Sequence, residues 1–326
     1  MEEHEEIVAD LLKNNIINDI DTLTFVSKLT TSQINGIAKN GGQRQMVFKE
    51  KRLMIDNNQL YYYTTDEKSD VTYYFLSGWG VPSTIVDMYG LTTRLNNGNS
   101  NIVVIERFGQ GKSDKIKSER TFENVLQEIH QIIEKDQSPK KVLIGHSLGG
   151  FYAFEYAKTK GGIDEIILLD VVPMTSNITR FLYNINYLYV YFFDILKKFE
   201  LLKNASIYDL AKLEKIKDIE KVPKKYQDIA ECFCKNDIYN VTVKNEFKYF
   251  KKSIKKLYLN TQNLNNLRIT NIVRKQTYKM SLKMKKVLKR QGVKMCLINV
   301  GKSSHYIHNE NPDKVANFIL KLDKNS

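Results

Sequence analysis

Short apolar runs alternate with helix-like segments along most of this chain. The strand-like runs span residues 45–55, 60–64, 71–76, 102–105, 141–144, 165–169, 268–273 and 293–300. Between the fourth and fifth runs, Val125, Ile129 and Ile132 lie at helical spacing. This helix is expected to be capped by Thr121 and to end near Lys135. Apolar strands that alternate with helices indicate a mostly parallel sheet with helices on both faces.

Two segments depart from this alternation. The first, residues 1–44, has apolar residues on one helical face and a break at Gly41-Gly42, which predicts a helical N-terminal extension. The second, residues 173–257, is rich in Tyr, Phe, Lys and Asn and shows helical stretches without a strand–helix repeat. The sequence therefore predicts a core formed by residues 45–172 and 258–326, with residues 173–257 as an inserted helical cap.

A further amphipathic helix is expected over residues 278–290, where Gly292 would stop it. Its predicted apolar face consists of Met280, Met284, Val287 and Leu288. We interpret this stripe as core packing rather than as a membrane or cofactor surface.

The composition is that of a soluble globular protein. Of the 326 residues, 42% are hydrophobic and 27% are charged, which excludes a largely disordered chain. The acidic first residues do not resemble a secretory signal, and no apolar stretch reaches membrane-spanning length. The longest candidate, residues 181–196, is interrupted by Asn184, Asn186 and Asp194.

The cysteines and histidines suggest neither a disulfide framework nor a metal site. Cys232 and Cys234 lack the second ligand pair that a zinc site needs, and Cys296 stands alone. The five histidines are scattered along the chain. We therefore expect a reduced, cytoplasmic protein without a metal or another cofactor.

The net charge of +13 is unevenly distributed, because no Asp or Glu occurs between Phe247 and Ser304. One hypothesis is an acidic partner, such as nucleic acid, anionic lipid or an acidic carrier protein. The alternative, which we favour here, is a solvated surface in a chain that is rich in Lys, Asn, Ile and Tyr. No nucleic-acid-binding motif accompanies the charge, so no nucleic acid is expected. Nothing in the sequence indicates the oligomeric state.

The most informative motif is Gly-His-Ser-Leu-Gly-Gly at residues 145–150. It lies between the apolar run 141–144 and a helix-like segment that begins at Phe151. A serine on a sharp strand-to-helix turn exposes its hydroxyl, and only glycine fits close on either side. The sequence therefore predicts a nucleophile elbow with Ser147 as the nucleophile.

Three further segments match one known family in the right order. They are residues 75–80 (Phe-Leu-Ser-Gly-Trp-Gly), residues 105–114 (Ile-Glu-Arg-Phe-Gly-Gln-Gly-Lys-Ser-Asp) and residues 304–312 (Ser-His-Tyr-Ile-His-Asn-Glu-Asn-Pro). With the elbow, they resemble the α/β-hydrolase fold superfamily from about Gln45 to the C-terminus. The resemblance implies an oxyanion hole formed by the backbone amides of Trp79 and Leu148.

The resemblance also implies a catalytic histidine late in the chain, where His305 and His308 are the candidates. Measured back from Pro312, the family pattern favours His305, five residues before Glu310. His146, beside the nucleophile, is interpreted as a support residue.

The acid of the triad departs from the usual family pattern. Most members carry it after the seventh strand, where this chain has Arg274-Lys275-Gln276 and no carboxylate between Glu246 and Glu310. A minority place the acid after the sixth strand, and Asp170 occupies that position. We therefore expect Asp170 to be the acid that orients His305 and stabilises the imidazolium. Two alternatives remain open, namely that Asp170 caps the start of the insertion, and that the site is a Ser–His dyad.

These features predict a serine hydrolase that acts on an ester or thioester with an apolar acyl or alkyl group. A second hypothesis is an ester or thioester hydrolase of an acidic acyl-carrier protein, because the loop at residues 78–80 also resembles that of pimeloyl-carrier-protein methyl ester esterases. A third is a non-catalytic binding protein of this fold. Haloalkane dehalogenases need an aspartate nucleophile, so Ser147 argues against that activity.

Overall fold

The computed structural model describes residues 46–65, 68–96, 100–172, 202–217, 219–254 and 266–324, with single positions between 190 and 200 and Leu264. The chain divides into two units, Met1–Val47 and Phe48–Ser326. The helical extension predicted for residues 1–44 lies outside the described residues.

An eight-stranded sheet forms the centre of the second unit. The strands are β1 (Lys49–Ile55), β2 (Asn58–Thr64), β3 (Val71–Leu76), β4 (Ser100–Ile105), β5 (Lys140–His146), β6 (Glu165–Leu169), β7 (Arg268–Val273) and β8 (Met295–Asn299). Their order across the sheet is β1-β2-β4-β3-β5-β6-β7-β8. The strands β1 and β2 pair antiparallel, as do β2 and β4, and the remaining pairs are parallel. The mostly parallel sheet predicted from the apolar runs is thus confirmed.

Helices cover both faces of the sheet. The helices of this core are α1 (Thr84–Leu95), α2 (Phe122–Ile133), α3 (Leu148–Thr159), α7 (Lys275–Arg290), α8 (Ile307–Glu310) and α9 (Pro312–Lys324). One face of the sheet packs against α2, α3 and α7 in a single hydrophobic cluster that includes Tyr74 and Leu76, alternate residues of β3. On the other face, α1 packs against α9 and α8.

A further group of helices, the inserted helices, lies between β6 and β7. They are α4 (Ile207–Leu213), α5 (Lys224–Asn236) and α6 (Val241–Ile254), with a short 3-10 helix at Ile219–Lys221. Both predicted ends of the cap, residues 173 and 257, lie outside the described residues, so its extent stays a prediction. Within the described part of the chain, no helix is long and apolar enough to cross a membrane.

Two helices show where the amphipathic pattern succeeds and where it is incomplete. The predicted N-cap of α2 is confirmed, because the side chain of Thr121 accepts a hydrogen bond from the amide of Asn124 at 3.2 Å. The predicted face of α7 is partly wrong, since Val287 is 40% exposed. The buried positions are Thr277, Ser281, Met284 and Leu288. The helix also begins three residues earlier than expected, at Lys275.

The sequence did not reveal α1, which begins beside the buried carboxylate of Glu106. That carboxylate accepts hydrogen bonds from the hydroxyl of Ser83 (2.6 Å) and from the amides of Thr84 (2.7 Å) and Ile85 (3.2 Å). Burial raises the pKa of Glu106, and these hydrogen bonds oppose that shift. Nine of the twelve residues of α1 are buried, so its sequence lacks a clear polar face.

Candidate active site

The candidate site lies at the edge of the sheet where the parallel strands end. The pairing of Leu76 with Gly145, and of His146 with Leu169, aligns the ends of β3, β5 and β6. Leu169 pairs in turn with Ile272 near the end of β7. The residues that follow these strands are therefore neighbours. They include the predicted oxyanion loop, the predicted nucleophile and the predicted acid.

Ser147 occupies a strained turn between β5 and α3. Its φ of 50° lies in the left-handed region, which non-glycine residues rarely adopt. A Cβ atom on Gly145 would lie 2.3 Å from the carbonyl oxygen of Gly149, and a Cβ atom on Gly149 would lie 2.3 Å from that of Leu76. The motif glycines are therefore required by close backbone packing, and the sharp turn expected from the sequence is present.

Asp170 and His305 meet at this edge. The Nδ1 atom of His305 lies 2.7 Å from Oδ2 of Asp170, whose side chain is 0% exposed. The other carboxylate oxygen accepts hydrogen bonds from the hydroxyl of Thr277 (2.5 Å) and from the amide of Arg274 (3.4 Å). The described contacts thus direct Asp170 towards the histidine loop and the start of α7. Like Ser147, Asp170 has a left-handed backbone, with a φ of 51°.

The usual acid position after β7 is occupied by a cation. The Nε atom of Arg274 lies 3.0 Å from Oδ2 of Asp170 and forms an ion pair, although it makes no well-aligned hydrogen bond. The absence of a carboxylate after β7 was evident from the sequence, but the ion pair between Arg274 and Asp170 was not.

His146 supports the histidine loop, in line with its expected role. Its Nε2–H group donates to the carbonyl oxygen of His305 at 3.1 Å, and the two imidazole rings are 4.6 Å apart. Burial lowers the pKa of His146 well below its usual value, and the neighbouring His308 and His305 lower it further. The imidazole of His146 is therefore neutral at physiological pH.

His308 faces a different carboxylate. Its Nε2 atom lies 3.0 Å from Oδ1 of Asp87, and both side chains are 0% exposed. The same oxygen accepts a hydrogen bond from the side-chain amide of Asn309 at 2.9 Å. The structure therefore brings His305, and not His308, against Asp170.

The group formed by Asp87, His146 and His308 was missed by sequence reasoning. One nitrogen or oxygen atom from each lies within 4.8 Å of the others, close enough to hold a metal ion. Sequence spacing gave no signal for it, because Asp87 lies on the unpredicted helix α1.

A buried arginine holds the predicted oxyanion loop in place. The Nη atoms of Arg107 donate to the carbonyl oxygens of Ser77 (2.9 Å) and Gly78 (3.0 Å). Its Nε atom pairs with Glu246 on α6 at 2.9 Å, with both side chains at most 5% exposed. The guanidinium group thus links the loop after β3 to the inserted helices.

Trp79 of the same loop contacts the inserted helices. Its indole N–H group donates to the carbonyl oxygen of Val243 at 2.9 Å. The ring centroids of Tyr239 and Phe247 each lie 4.9 Å from that of Trp79. A Cβ atom on Gly78 would lie 3.4 Å from Cβ of Ser147, so the loop runs beside the elbow. Leu148 is the first residue of α3, where amide groups lack an acceptor within the helix.

Comparison with known proteins agrees with this architecture. A family model described as the alpha/beta hydrolase fold matches residues 95–230. No curated protein matches the chain in sequence. The epoxide hydrolase VrEH1 from Vigna radiata is 12% identical with a TM-score of 0.63, and the match covers 87% of this chain and 100% of that one.

Enzymes with other substrates match as well. A carboxylesterase structure from the thaumarchaeon Nitrososphaera gargenis is 15% identical with a TM-score of 0.57, and the match covers 84% of this chain and 98% of that one. The thioesterase domain from the curacin biosynthetic pathway is 14% identical with a TM-score of 0.56, and the match covers 84% of this chain and 99% of that one. The chain therefore has the α/β-hydrolase fold, and its resemblance to that superfamily is confirmed. At identities this low, structural similarity shows the fold but not the reaction, which depends on the residues of the site.

Proposed function

We propose that the protein is a serine hydrolase that cleaves an ester or thioester through an acyl-enzyme on Ser147. The observation that carries the proposal is the 2.7 Å contact between His305 Nδ1 and Asp170 Oδ2, at the same sheet edge as the strained elbow of Ser147. A base oriented by a buried carboxylate is what a serine hydroxyl needs in order to act as a nucleophile.

In the proposed reaction, His305 removes the proton from Ser147 as its Oγ atom attacks the substrate carbonyl. Asp170 accepts a hydrogen bond from Nδ1, which leaves Nε2 free to accept that proton, and it stabilises the imidazolium that forms. His305 then protonates the leaving alcohol or thiol. In the second half-reaction, it activates the water that hydrolyses the acyl-enzyme.

The negative charge on the carbonyl oxygen would be stabilised by the amides of Leu148 and Trp79. Each such donor is worth roughly 3–4 kcal/mol in the transition state. The contacts of Arg107 and of the Trp79 indole support this role, because they fix the backbone of the loop.

The aromatic residues around Trp79 support an apolar acyl or alkyl group in the substrate. Phe233 of α5, Val243 of α6 and Ile238 in the turn between these helices form a small hydrophobic cluster, against which Trp79 packs. An apolar chain that is bound at the oxyanion loop would meet this cluster. We propose that residues 173–257 form the cap over the site.

The cysteines support a cytoplasmic location. Cys232, Cys234 and Cys296 are free thiols. Burial raises the pKa of the Cys234 thiol to about 12, so it stays protonated and unreactive. Unpaired cysteines are typical of a reducing compartment.

A fluorophosphonate probe, followed by a series of p-nitrophenyl esters, tests the proposed function. We expect labelling and turnover in the wild type, none in Ser147→Ala, and a large loss in His305→Gln. The control His130→Gln alters a half-buried histidine on α2 and should retain activity. If the folded wild type is neither labelled nor active, the non-catalytic binding protein is the better interpretation.

One observation favours the second candidate, a hydrolase of substrates on an acidic carrier protein. Residues 247–303 hold 16 of the 50 lysines and arginines and none of the 37 acidic residues. The rest of the chain therefore carries 34 basic and 37 acidic residues. The excess positive charge thus comes from this one segment, which a general abundance of lysine does not explain.

Five of these 16 cationic residues form a stripe on α7. The stripe is the exposed side of the helix, opposite the buried Thr277, Met284 and Leu288. Its members are Lys275, Lys279, Lys283, Lys286 and Arg290. Like charges at this spacing repel each other by a few tenths of a kcal/mol per pair, a cost that an acidic partner would relieve. The helix starts beside Asp170, so a partner bound along it would lie next to the site.

Titration with a purified acyl-carrier protein tests this second candidate. We expect salt-sensitive binding that the triple variant Lys279→Glu, Lys283→Glu and Lys286→Glu weakens at least about tenfold. A matched triple reversal of Lys212, Lys224 and Lys225, which are exposed on α4 and α5, changes the net charge equally and should matter little. The candidate is rejected if the carrier protein neither binds nor changes the rate of hydrolysis, or if both triple variants weaken binding equally.

A further inference from the structure

Three buried side chains from different parts of the core meet at the histidine loop, residues 304–312. They are Asp87 of α1, His146 at the end of β5 and His308 of α8, and each is at most 1% exposed. One ligating atom from each lies within 4.8 Å of the other two. The proposed reaction uses none of the three side chains, so their meeting needs a separate explanation.

Each member of this group has a buried polar atom that is not hydrogen-bonded within the described part of the chain. These atoms are Oδ2 of Asp87, Nδ1 of His146 and Nδ1 of His308. Buried polar atoms are nearly always paired, because an unpaired one is costly to bury. Three such atoms in one group therefore indicate a ligand that the polypeptide does not supply.

The hydrogen bonds determine which atoms are able to bind an ion. His146 donates from Nε2 to the carbonyl oxygen of His305 at 3.1 Å, so its Nδ1 atom carries the free lone pair. Histidine ligands of zinc commonly have this arrangement, in which one ring nitrogen binds the ion and the other donates to a carbonyl oxygen.

The spacing of the other two side chains also suits one ion. The Nε2 atom of His308 lies 3.0 Å from Oδ1 of Asp87. Two atoms that bind one zinc ion at about 2.0–2.2 Å lie about 3.3 Å apart in a tetrahedral site. This pair thus has nearly the required spacing already, and only the ring of His146 has to approach it.

The charge around the group favours a cation. Glu214, at the end of α4, is a second buried carboxylate and is close enough to Asp87 for the two to repel each other. The side-chain amide of Asn309 joins them, since it donates to Oδ1 of Asp87 (2.9 Å) and to the carbonyl oxygen of Glu214 (3.1 Å). Within the described ranges, no lysine or arginine forms an ion pair with either carboxylate. A bound cation would therefore stabilise both acidic side chains.

We propose that Asp87, His146 and His308 form a binding site for a divalent transition-metal ion such as Zn²⁺. Two imidazoles and a carboxylate suit Zn²⁺ better than Mg²⁺ or Ca²⁺, which prefer oxygen ligands alone. The ion would connect α1, the end of β5 and α8, and would thereby hold the histidine loop beside the elbow. Its role would be structural, because all three ligands are buried. This inference does not depend on the proposed function.

Metal analysis of the full-length protein tests the inference. One sample is purified after expression with added Zn²⁺, and another is stripped by a chelator and refolded with Zn²⁺, because buried ligands are slow to reload. We expect one Zn²⁺ ion per chain and a melting temperature above that of the metal-free protein. His308→Gln and Asp87→Asn should each weaken binding more than about 100-fold, the upper end of the cost of losing an outer-shell partner.

His130→Gln is the matched control, because it removes a half-buried histidine of α2 that lies outside the group. It should bind Zn²⁺ as tightly as the wild type. Replacement of Zn²⁺ by Co²⁺ gives a readout that needs no variant. The visible spectrum should show nitrogen and oxygen ligands, without the charge-transfer band that a thiolate from Cys232 or Cys234 would give.

A folded wild type that holds no Zn²⁺ after either treatment would refute the inference and leave the three side chains as a hydrogen-bonded group. Equally tight binding by folded His308→Gln or Asp87→Asn, or a thiolate band in the Co²⁺ spectrum, would also refute it. Metal content is measured without a substrate. Absence of probe labelling at Ser147 would therefore refute the proposed function and leave the metal site standing.

Discussion

Replacing Asp170 by Asn should lower the turnover number by about 10⁴-fold while the fold stays intact. An asparagine amide can donate to Nδ1 of His305, which favours the tautomer whose proton lies on Nε2, where the serine proton has to be accepted. The change also removes the negative charge that stabilises the imidazolium. Ester hydrolysis by the purified variant, together with its melting temperature and circular dichroism spectrum, measures both parts of the prediction.

Asp228→Asn is a suitable control, because this carboxylate on α5 is 59% exposed and pairs with Lys224 at the surface. It should change turnover less than twofold. Near-normal turnover of Asp170→Asn would instead favour a Ser–His dyad, and the contact between Asp170 and His305 would then have only a structural role.

The second large effect is expected at the buried ion pair between Arg107 and Glu246. Glu246→Gln should destabilise the protein by about 3–5 kcal/mol, because it leaves the guanidinium group buried without its counter-charge. We also expect hydrolysis to fall in the protein that remains folded, since Arg107 holds the carbonyl oxygens of Ser77 and Gly78. Urea unfolding gives the first quantity, and kcat per folded molecule gives the second.

A surface pair provides the comparison for this prediction. Asp237→Asn breaks the contact with Lys115, whose side chain is 48% exposed, and should cost less than about 1 kcal/mol. The double variant Arg107→Met with Glu246→Leu should recover much of the stability lost in Glu246→Gln, because no charge is then left buried and unpaired. It should not recover the activity. Equal losses in the free energy of unfolding for Glu246→Gln and Asp237→Asn would show that the buried pair contributes no more to stability than the surface pair.

The sequence predicted the parts of the fold that follow from local patterns. The sheet and the strand-to-helix turn at Ser147 were predictable, because apolar runs and the spacing of glycines reflect burial and backbone geometry directly. The placement of Asp170 and His305 followed from the order of motifs along the chain, once the resemblance indicated which strand ends meet. Their catalytic roles stay predictions until the variants are measured.

Features that depend on distant contacts were not predictable in this way. The helix α1 was missed because it is buried on most sides. In addition, amide groups at its N-terminus donate hydrogen bonds to Glu106, which lies 22 residues from Thr84 along the chain. The buried face of α7 was partly misjudged because Thr277 and Ser281 are buried through hydrogen bonds to Asp170 and Val171 rather than through apolar packing. The pair of Arg107 and Glu246 spans 139 positions, for which spacing gives no signal.

The position of Trp79 gives the protein a built-in optical probe. It is the only tryptophan among the 326 residues, and it belongs to the loop beside Ser147. Its indole is bonded to Val243 and packs against Tyr239 and Phe247. Intrinsic fluorescence excited at the red edge of tyrosine absorption therefore reports on one place, where the loop meets the inserted helices. Entry of an apolar molecule or displacement of α6 would change the wavelength maximum and the intensity of that emission, so no attached dye is needed.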